Sequence, residues 1–163
     1  MALTKLICIA GVRHVGKTTV LETLIPRIID RGYTVVAVKY STHAHELDTP
    51  GKNSWRLKKA GAEITAMVTP EEIAEYRPVK TPIQIRDFLE LYREYDVVLT
   101  EGISQDNYPT VEILREEVNL IPSDQILNRV ATVSDSVLPT NSKLFGFDDL
   151  NSLAEFLIAE FID

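Results

Sequence analysis

Residues 11 to 18 read Gly11-Val12-Arg13-His14-Val15-Gly16-Lys17-Thr18, and no other stretch restricts the fold of this chain as much. They satisfy G-x-x-x-x-G-K-[ST], a loop whose backbone N–H groups cradle phosphates while its lysine reaches the terminal phosphates and its hydroxyl reaches Mg²⁺. An accidental match in a chain of this length has odds on the order of one in a hundred or less. The flanks agree. Leu6-Ile7-Cys8-Ile9-Ala10 is an unbroken apolar run of the kind found in a parallel strand covered on both faces. After the loop, Leu21, Leu24, Ile25 and Ile28 recur at i, i+3, i+4 and i+7, one face of a helix expected to run to about Arg31 and stop at Gly32. Strand, glycine loop and helix in that order aim a helix N-terminus at an anion, where the dipole and the unpaired N–H groups both favour phosphate. An ordinary strand-to-helix turn would leave Lys17-Thr18 at that offset without a reason. Pro26 inside the helix deletes the bond to the Glu22 carbonyl, at a cost of up to ~3 kcal/mol, and predicts a kink.

At 163 residues the chain is expected to form one nucleotide-binding domain, residues 1–163. Its formal charge of 17 − 24 = −7 leaves no general basic surface for nucleic acid or an anionic membrane, so a nucleotide has to be held by local groups. The one cysteine, Cys8, falls in the apolar first strand and reads as packing in a reducing compartment. With no apolar run near the ~20 residues of a membrane span, the expected location is cytoplasmic.

Tyr33 to Lys39 reads as a second strand, joined to the first through the helix as a right-handed βαβ unit, so that Lys39 emerges at the same edge as the phosphate loop. The polar, Gly/Pro-marked residues 41–54 read as a long functional loop, Trp55 to Ala60 as a short helix closed by Gly61, and Ile64 to Thr69 as a third strand. Thr69-Pro70-Glu71-Glu72 and Thr81-Pro82-Ile83-Gln84 each carry the signature of a helix start, and Ile85, Phe88, Leu89 and Tyr92 form a stripe after the second. Asp96 to Gly102 is a hydrophobic strand that delivers Glu101 at its C-terminal tip, where P-loop proteins keep the acid that organises Mg²⁺. Thr110 to Arg115 and Arg129 to Ser134 are further strands around a polar loop from about Glu116 to Asn128; Asp135 ends the later one. Phe145 belongs to a last short strand, and Leu150, Leu153, Ala154, Leu157, Ile158 and Phe161 mark an amphipathic terminal helix. The alternation implies an α/β fold, P-loop NTPase-like, with a mostly parallel sheet and helices on both faces.

Together these residues resemble the MobB family of molybdopterin-guanine dinucleotide biosynthesis adaptor proteins. Beyond the phosphate loop, Lys39 followed by His43, Asp48 and Pro50-Gly51-Lys52-Asn53-Ser54, then Ala60-Gly61-Ala62, is similar to that family's second segment. The Glu101-Gly102 strand and Val133-Ser134-Asp135 are similar to two later ones. The resemblance implies a GTP-binding homodimer with weak GTPase activity that assists nucleotide attachment to molybdopterin, partnering a MobA-type transferase or supplying GTP. It also brings the pterin, or its guanine dinucleotide form, in as a partner. The chain departs from the family pattern at Tyr40, where a histidine is common, and at Ser104 and Thr110, where lysines are usual. That leaves two fewer positive charges for an anionic pterin phosphate.

The residues expected to carry chemistry are Lys17, which can neutralise the β and γ phosphates, Glu101, and Asp48 in the 41–54 loop. Thr18 and Glu101 are the expected Mg²⁺ ligands. The nucleotide set is Gly11, Arg13, His14, Val15, Gly16, Lys17, Thr18, Thr19, Lys39, Lys52 and Asp135. The bland alternatives are a helix cap for Glu101 and a solvated surface pair for Asp48 and Lys52. Asp135 could accept hydrogen bonds from a guanine edge, although the Asn-Lys-x-Asp pattern of many GTPases is missing: Ala131, Thr132 and Val133 precede Ser134-Asp135. GTP is thus implied by the resemblance, and the loop itself admits ATP. His43 and His45 suggest a transition-metal site, but His-x-His without a third ligand at fixed spacing is a weak signal. Two other functions share these features: a small-molecule kinase holding its acceptor in the 41–54 loop, and a metal-delivery NTPase using the two histidines.

Overall fold

The computed structural model describes residues 3–41, 43, 45–104 and 107–163; Thr42 and Ala44 of the expected 41–54 loop lie outside them. The chain divides into two compact units, one of Met1–Ser41 with Ile85–Asp163 and one of Thr42–Gln84. In the first unit the apolar runs become the strands β1 (Lys5–Ala10), β2 (Val35–Lys39), β5 (Val97–Glu101), β6 (Thr110–Ile113), β7 (Arg129–Val133) and β8 (Lys143–Phe145). Among the described residues they form one sheet in the order β2-β5-β1-β6-β7-β8, with every pair parallel. Parallel neighbours cannot be joined by hairpins, so each connection crosses over, and the loop after β1 leaves the middle of the sheet.

One face of the sheet is set by alternation. Ile7, Ile9, Val97, Leu99, Val111, Ile113, Ala131 and Val133 pack against Leu24 and Ile28 of α1 (Lys17–Asp30) and Leu153 and Leu157 of α4 (Leu150–Leu157). Burying each of the larger side chains here contributes about 1.5–3 kcal/mol. The intervening residues Leu6, Cys8, Val98 and Thr100 are buried as well, which explains why these strands read as continuous apolar runs. Helix α1 runs unbroken through Pro26, which lies on its exposed side, where the Glu22 carbonyl can turn toward water.

The terminal helix departs from the expected stripe. Past α4 the chain widens into a π-helical turn, Ile158–Ile162, closed by Asp163 N–H donating to the Ile158 carbonyl at 2.9 Å. The extra residue per turn adds Ile162 to the buried face, while Phe161 packs partly buried against the core.

The second unit corrects a larger expectation. Thr69-Pro70-Glu71-Glu72 starts no helix; it is the turn of an antiparallel hairpin between β3 (Thr65–Val68) and β4 (Ile73–Tyr76), a strand not expected from sequence. The hydroxyl of Thr69 accepts from the N–H groups of Glu71 at 3.3 Å and Glu72 at 3.0 Å. That is the chemistry of a helix cap used to close a turn. Helix α2 (Asn53–Lys59) precedes the hairpin. The Thr81-Pro82 signal is also displaced: α3 spans only Asp87–Leu91, because Phe88 N–H bonds back to Ile85, leaving residues 82–84 irregular.

A clamp ties the N-terminal ends of the central strands. Thr34 N–H and Oγ1 both donate to Asp96 Oδ2 at 2.7 Å, Asp96 N–H donates to Thr34 Oγ1 at 3.0 Å, and Lys5 N–H donates to the Asp96 carbonyl at 2.8 Å. The Thr34 backbone N–H, helped by its hydroxyl, holds the Asp96 carboxyl below the usual carboxylate range. Asp96 therefore binds fewer protons folded than unfolded, so its stabilisation is present above the unfolded value of about 3.9 and fades as pH falls through the lower folded one. Asp96→Asn is expected to lower Tm near neutral pH and to approach wild type in acid, so thermal melts from about pH 7 to about pH 3 should show a gap that narrows.

Candidate functional site

Between β1 and α1 the chain passes close against the end of β6. Gly11 has φ 142°, and a Cβ there would lie 2.6 Å from the Ile113 carbonyl oxygen of β6, so only glycine fits. His14 stands at φ 66°, an uncommon region for a residue with a side chain, as a loop wrapped around an anion requires. Gly16 caps α1 by backbone alone. Among the described residues no side chain caps this helix and no acid lies in its first turn; the carboxylate that reaches it comes from another element, Glu101 on the Thr18 hydroxyl.

Lys17 turns back across the loop, its Nζ donating to the carbonyls of Gly11 at 3.0 Å and Val12 at 2.6 Å. Burial is the main cause that holds this amine below the ordinary lysine range; the Glu101 carboxylate pulls it up and the Lys39 charge pushes it down. On the other side of the mouth, Thr18 Oγ1 donates to Glu101 Oε2 at 2.9 Å, and Lys39 Nζ lies 3.4 Å from Glu101 Oε1. Three elements thus converge: the first turn of α1, the tip of β5 and the tip of β2. Gly102 makes the last convergence possible, since a Cβ there would sit 2.9 Å from the Tyr40 carbonyl oxygen. The Thr18 hydroxyl and the Glu101 carboxylate are hard oxygen donors within one ion's reach, a set that fits Mg²⁺. They would hold it, and it would neutralise charge between the β and γ phosphates.

Of the other expected residues, Arg13, His14 and Thr19 are exposed around the loop, and Val15 is buried beneath it. Asp48 and Lys52 belong to the second unit. There Asp48 is 5% exposed and its Oδ1 accepts from Thr49 N–H at 2.8 Å and Ser54 Oγ at 3.0 Å, while Oδ2 has no partner among the described residues. This bonding fixes the approach to α2. The rings of His43 and His45 are 6.5 Å apart, edge to face, and among the described residues no cluster of three His, Cys, Asp or Glu could hold a metal ion. Asp135 Oδ1 accepts from Glu116 N–H at 2.9 Å, and its Oδ2 lies 3.7 Å from Arg115 Nη1.

Sequence reasoning missed Arg115, Phe147 and Glu112. Arg115 Nε donates to the Val15 carbonyl at 3.4 Å, and its guanidinium lies 4.0 Å over the Phe147 ring. Glu112 is buried in β6, with Oε2 2.7 Å from Arg129 Nε and Oε1 accepting from Ser123 N–H at 2.9 Å. Its only sequence signal is a carboxylate inside an otherwise apolar strand, which demands a buried partner. Beside the start of the loop a cleft of about 240 Å³ is lined by Gly11, Val12, Gly102, Ser104, Glu112 and Asn119, among others.

Comparison with known proteins gives one consistent result. The family model described as MobB, molybdopterin guanine dinucleotide synthesis protein B, matches residues 6–135. A Haemophilus influenzae protein named molybdopterin-guanine dinucleotide biosynthesis adapter protein is 31% identical over 156 residues, covering 93% of this chain and 86% of that one. Its Escherichia coli namesake is 28% identical over 161 residues, covering 94% and 91%. The crystal structure of Bacillus subtilis MobB superposes with a TM-score of 0.73 at 22% identity, over 96% of this chain and 98% of that one, a likeness of fold. Because the loop path depends on the contact between Gly11 and Ile113, Gly11→Ala is expected to cost about 1–3 kcal/mol. Urea unfolding checks this against Gly32→Ala, a glycine with φ 91° and nothing within 4 Å of its Cβ position, which should cost less.

Proposed function

The chain belongs to the MobB family, and from that membership we propose that it is a nucleotide-binding adaptor in molybdenum cofactor biosynthesis that presents Mg²⁺-GTP for the formation of molybdopterin guanine dinucleotide. The observation that carries the nucleotide site is the convergence of Thr18, Glu101 and Lys39 on the mouth of the glycine loop, at the N-terminal end of α1. In this reading an incoming triphosphate takes Lys17 away from the Gly11 and Val12 carbonyls, and the Thr18 and Glu101 oxygens turn to the metal. Weak hydrolysis belongs to the same proposal, carried over from the family resemblance. A MobA-type transferase is the protein partner and molybdopterin, or its guanine dinucleotide form, the small one. The cleft beside Gly11 and Val12, with Ser104 on its wall, is where a second small ligand could share the loop. A cytoplasmic place belongs to the same proposal, in keeping with a single, buried cysteine, Cys8. Among the described residues no helix is long and apolar enough to cross a membrane.

The hairpin supports a homodimer. Met67, Val68 and Ile73 are 54%, 68% and 70% exposed, so both surfaces of a two-stranded sheet carry apolar side chains to water, and a lone hairpin is marginal by itself. A second copy of the chain is the occupant that family membership suggests.

Titration calorimetry with GTP in Mg²⁺ is expected to show binding that Lys17→Ala reduces at least tenfold and that Glu101→Gln makes insensitive to Mg²⁺; wild type without affinity for GTP or ATP would remove the site. For the dimer, light scattering at micromolar concentration is expected to give twice the chain mass, and the pair Met67→Asp with Ile73→Asp the single mass.

A further inference from the structure

A triphosphate lying in this loop has two ends, and the sheet order tells them apart. Thr18 and Glu101 meet on the β5 side of β1, and these are the groups that would hold a metal ion beside the terminal phosphates. The nucleoside therefore leaves the loop on the other side, toward β6, β7 and β8. Two side chains stand there against the loop. At Gly16 the nearest groups to a Cβ position are Arg115 Nη2 and the Phe147 ring, each at 3.5 Å. Arg115 comes from the end of β6 and Phe147 from the end of β8, so strands separated by β7 reach to one spot.

The guanidinium is held in a fixed plane. Its carbon lies 4.0 Å from the centre of the Phe147 ring, Nε donates to the Val15 carbonyl at 3.4 Å, and Nη1 is 3.7 Å from Asp135 Oδ2. Asp135 is itself fixed by Glu116 N–H at 2.9 Å, and Ser136 Oγ donates to the Glu116 carboxylate at 2.8 Å. About a third of the Arg115 side chain, 35%, still reaches solvent. A flat cation backed by an aromatic ring, rigid, partly exposed and next to the last glycine of a phosphate loop, is a surface on which a heterocyclic base stacks.

Resting on the proposal that the loop binds a nucleoside triphosphate, we infer that Arg115 and Phe147 form the stacking surface for the base, with Asp135 as a positioning residue that keeps the guanidinium flat. Affinity then divides between two groups of residues: the loop grips the phosphates, and the Arg115–Phe147 pair grips the base.

The test compares Mg²⁺-GTP with Mg²⁺-tripolyphosphate, which has the phosphates and no base, by calorimetry on the full chain. Arg115→Ala and Phe147→Ala are expected to weaken GTP about tenfold and leave tripolyphosphate unchanged. Phe147→Tyr keeps the ring and should retain GTP affinity. Arg115→Lys keeps the charge without the plane and should lose it; as a conservative change it also serves should Phe147→Ala fail to fold. Asp135→Asn is expected to lower GTP affinity partway, again without effect on tripolyphosphate. Equal losses for both ligands would make Arg115 a brace of the loop and overturn the inference, as would variants that bind GTP like wild type. Wild type that binds neither ligand would overturn the nucleotide reading as well.

Discussion

The hydrogen bond from Thr18 to Glu101 joins two residues 83 positions apart, and the site hangs on it. Thr18 is in the first turn of the helix that follows the glycine loop; Glu101 is the last residue of the strand beside β1. Their contact requires that β5 pair with β1 in one register, Ile9 opposite Glu101. A slip of one residue would turn Glu101 to the other face of the sheet. At the far end of the same pair Lys5 N–H holds the Asp96 carbonyl, and the Asp96–Thr34 bonds hold β5 against β2, five residues from the carboxylate they help to place. Fold and chemistry are in this sense one constraint read at two ends of a strand.

Much of the first unit was legible because its signals are local or repetitive. The G-x-x-x-x-G-K-[ST] spacing, the continuous apolar strands and the Leu21, Leu24, Ile28 stripe each report a geometry that the sequence around them already fixes. The placement of Glu101 at a strand tip followed from where Asp96 to Leu99 turns apolar. The hairpin was not legible, since Thr-Pro-Glu-Glu satisfies the same backbone donors in a turn as in a first helical turn, and only the pairing of Met67 with Ala74 and Val68 with Ile73 decides between them. Arg115 and Phe147 were invisible for a different reason: they lie 32 residues apart in sequence on strands that are not neighbours, and a single arginine or phenylalanine carries no spacing to recognise. The burial of Ile162 was missed because a 3.6-residue period cannot foresee a wider last turn.

The buried pair of Glu112 and Arg129 shows how the far side of the site is kept in shape. Ser123 N–H bonds to Glu112 at 2.9 Å, and the Ser123 carbonyl accepts from the Arg129 guanidinium, so one residue of the 116–128 segment is held from both sides by one ion pair. Removing either partner would leave a charge out of water without compensation. The cleft next to the phosphate loop keeps its wall for that reason, and a loop that sequence alone marks only as polar acquires a fixed path.

The insertion of β5 between β1 and β2 has a temporal side. While the chain is being made, the first βαβ unit emerges with a gap where its central partner belongs, and the acid of the site is still about sixty residues from the end of β2. Such non-local pairing incurs its loop-closure entropy before any contact repays it, which makes assembly slow compared with a meander of the same size. The glycine loop is consequently made long before Glu101, and on the proposed reading of the site it meets its acid only as the sheet closes.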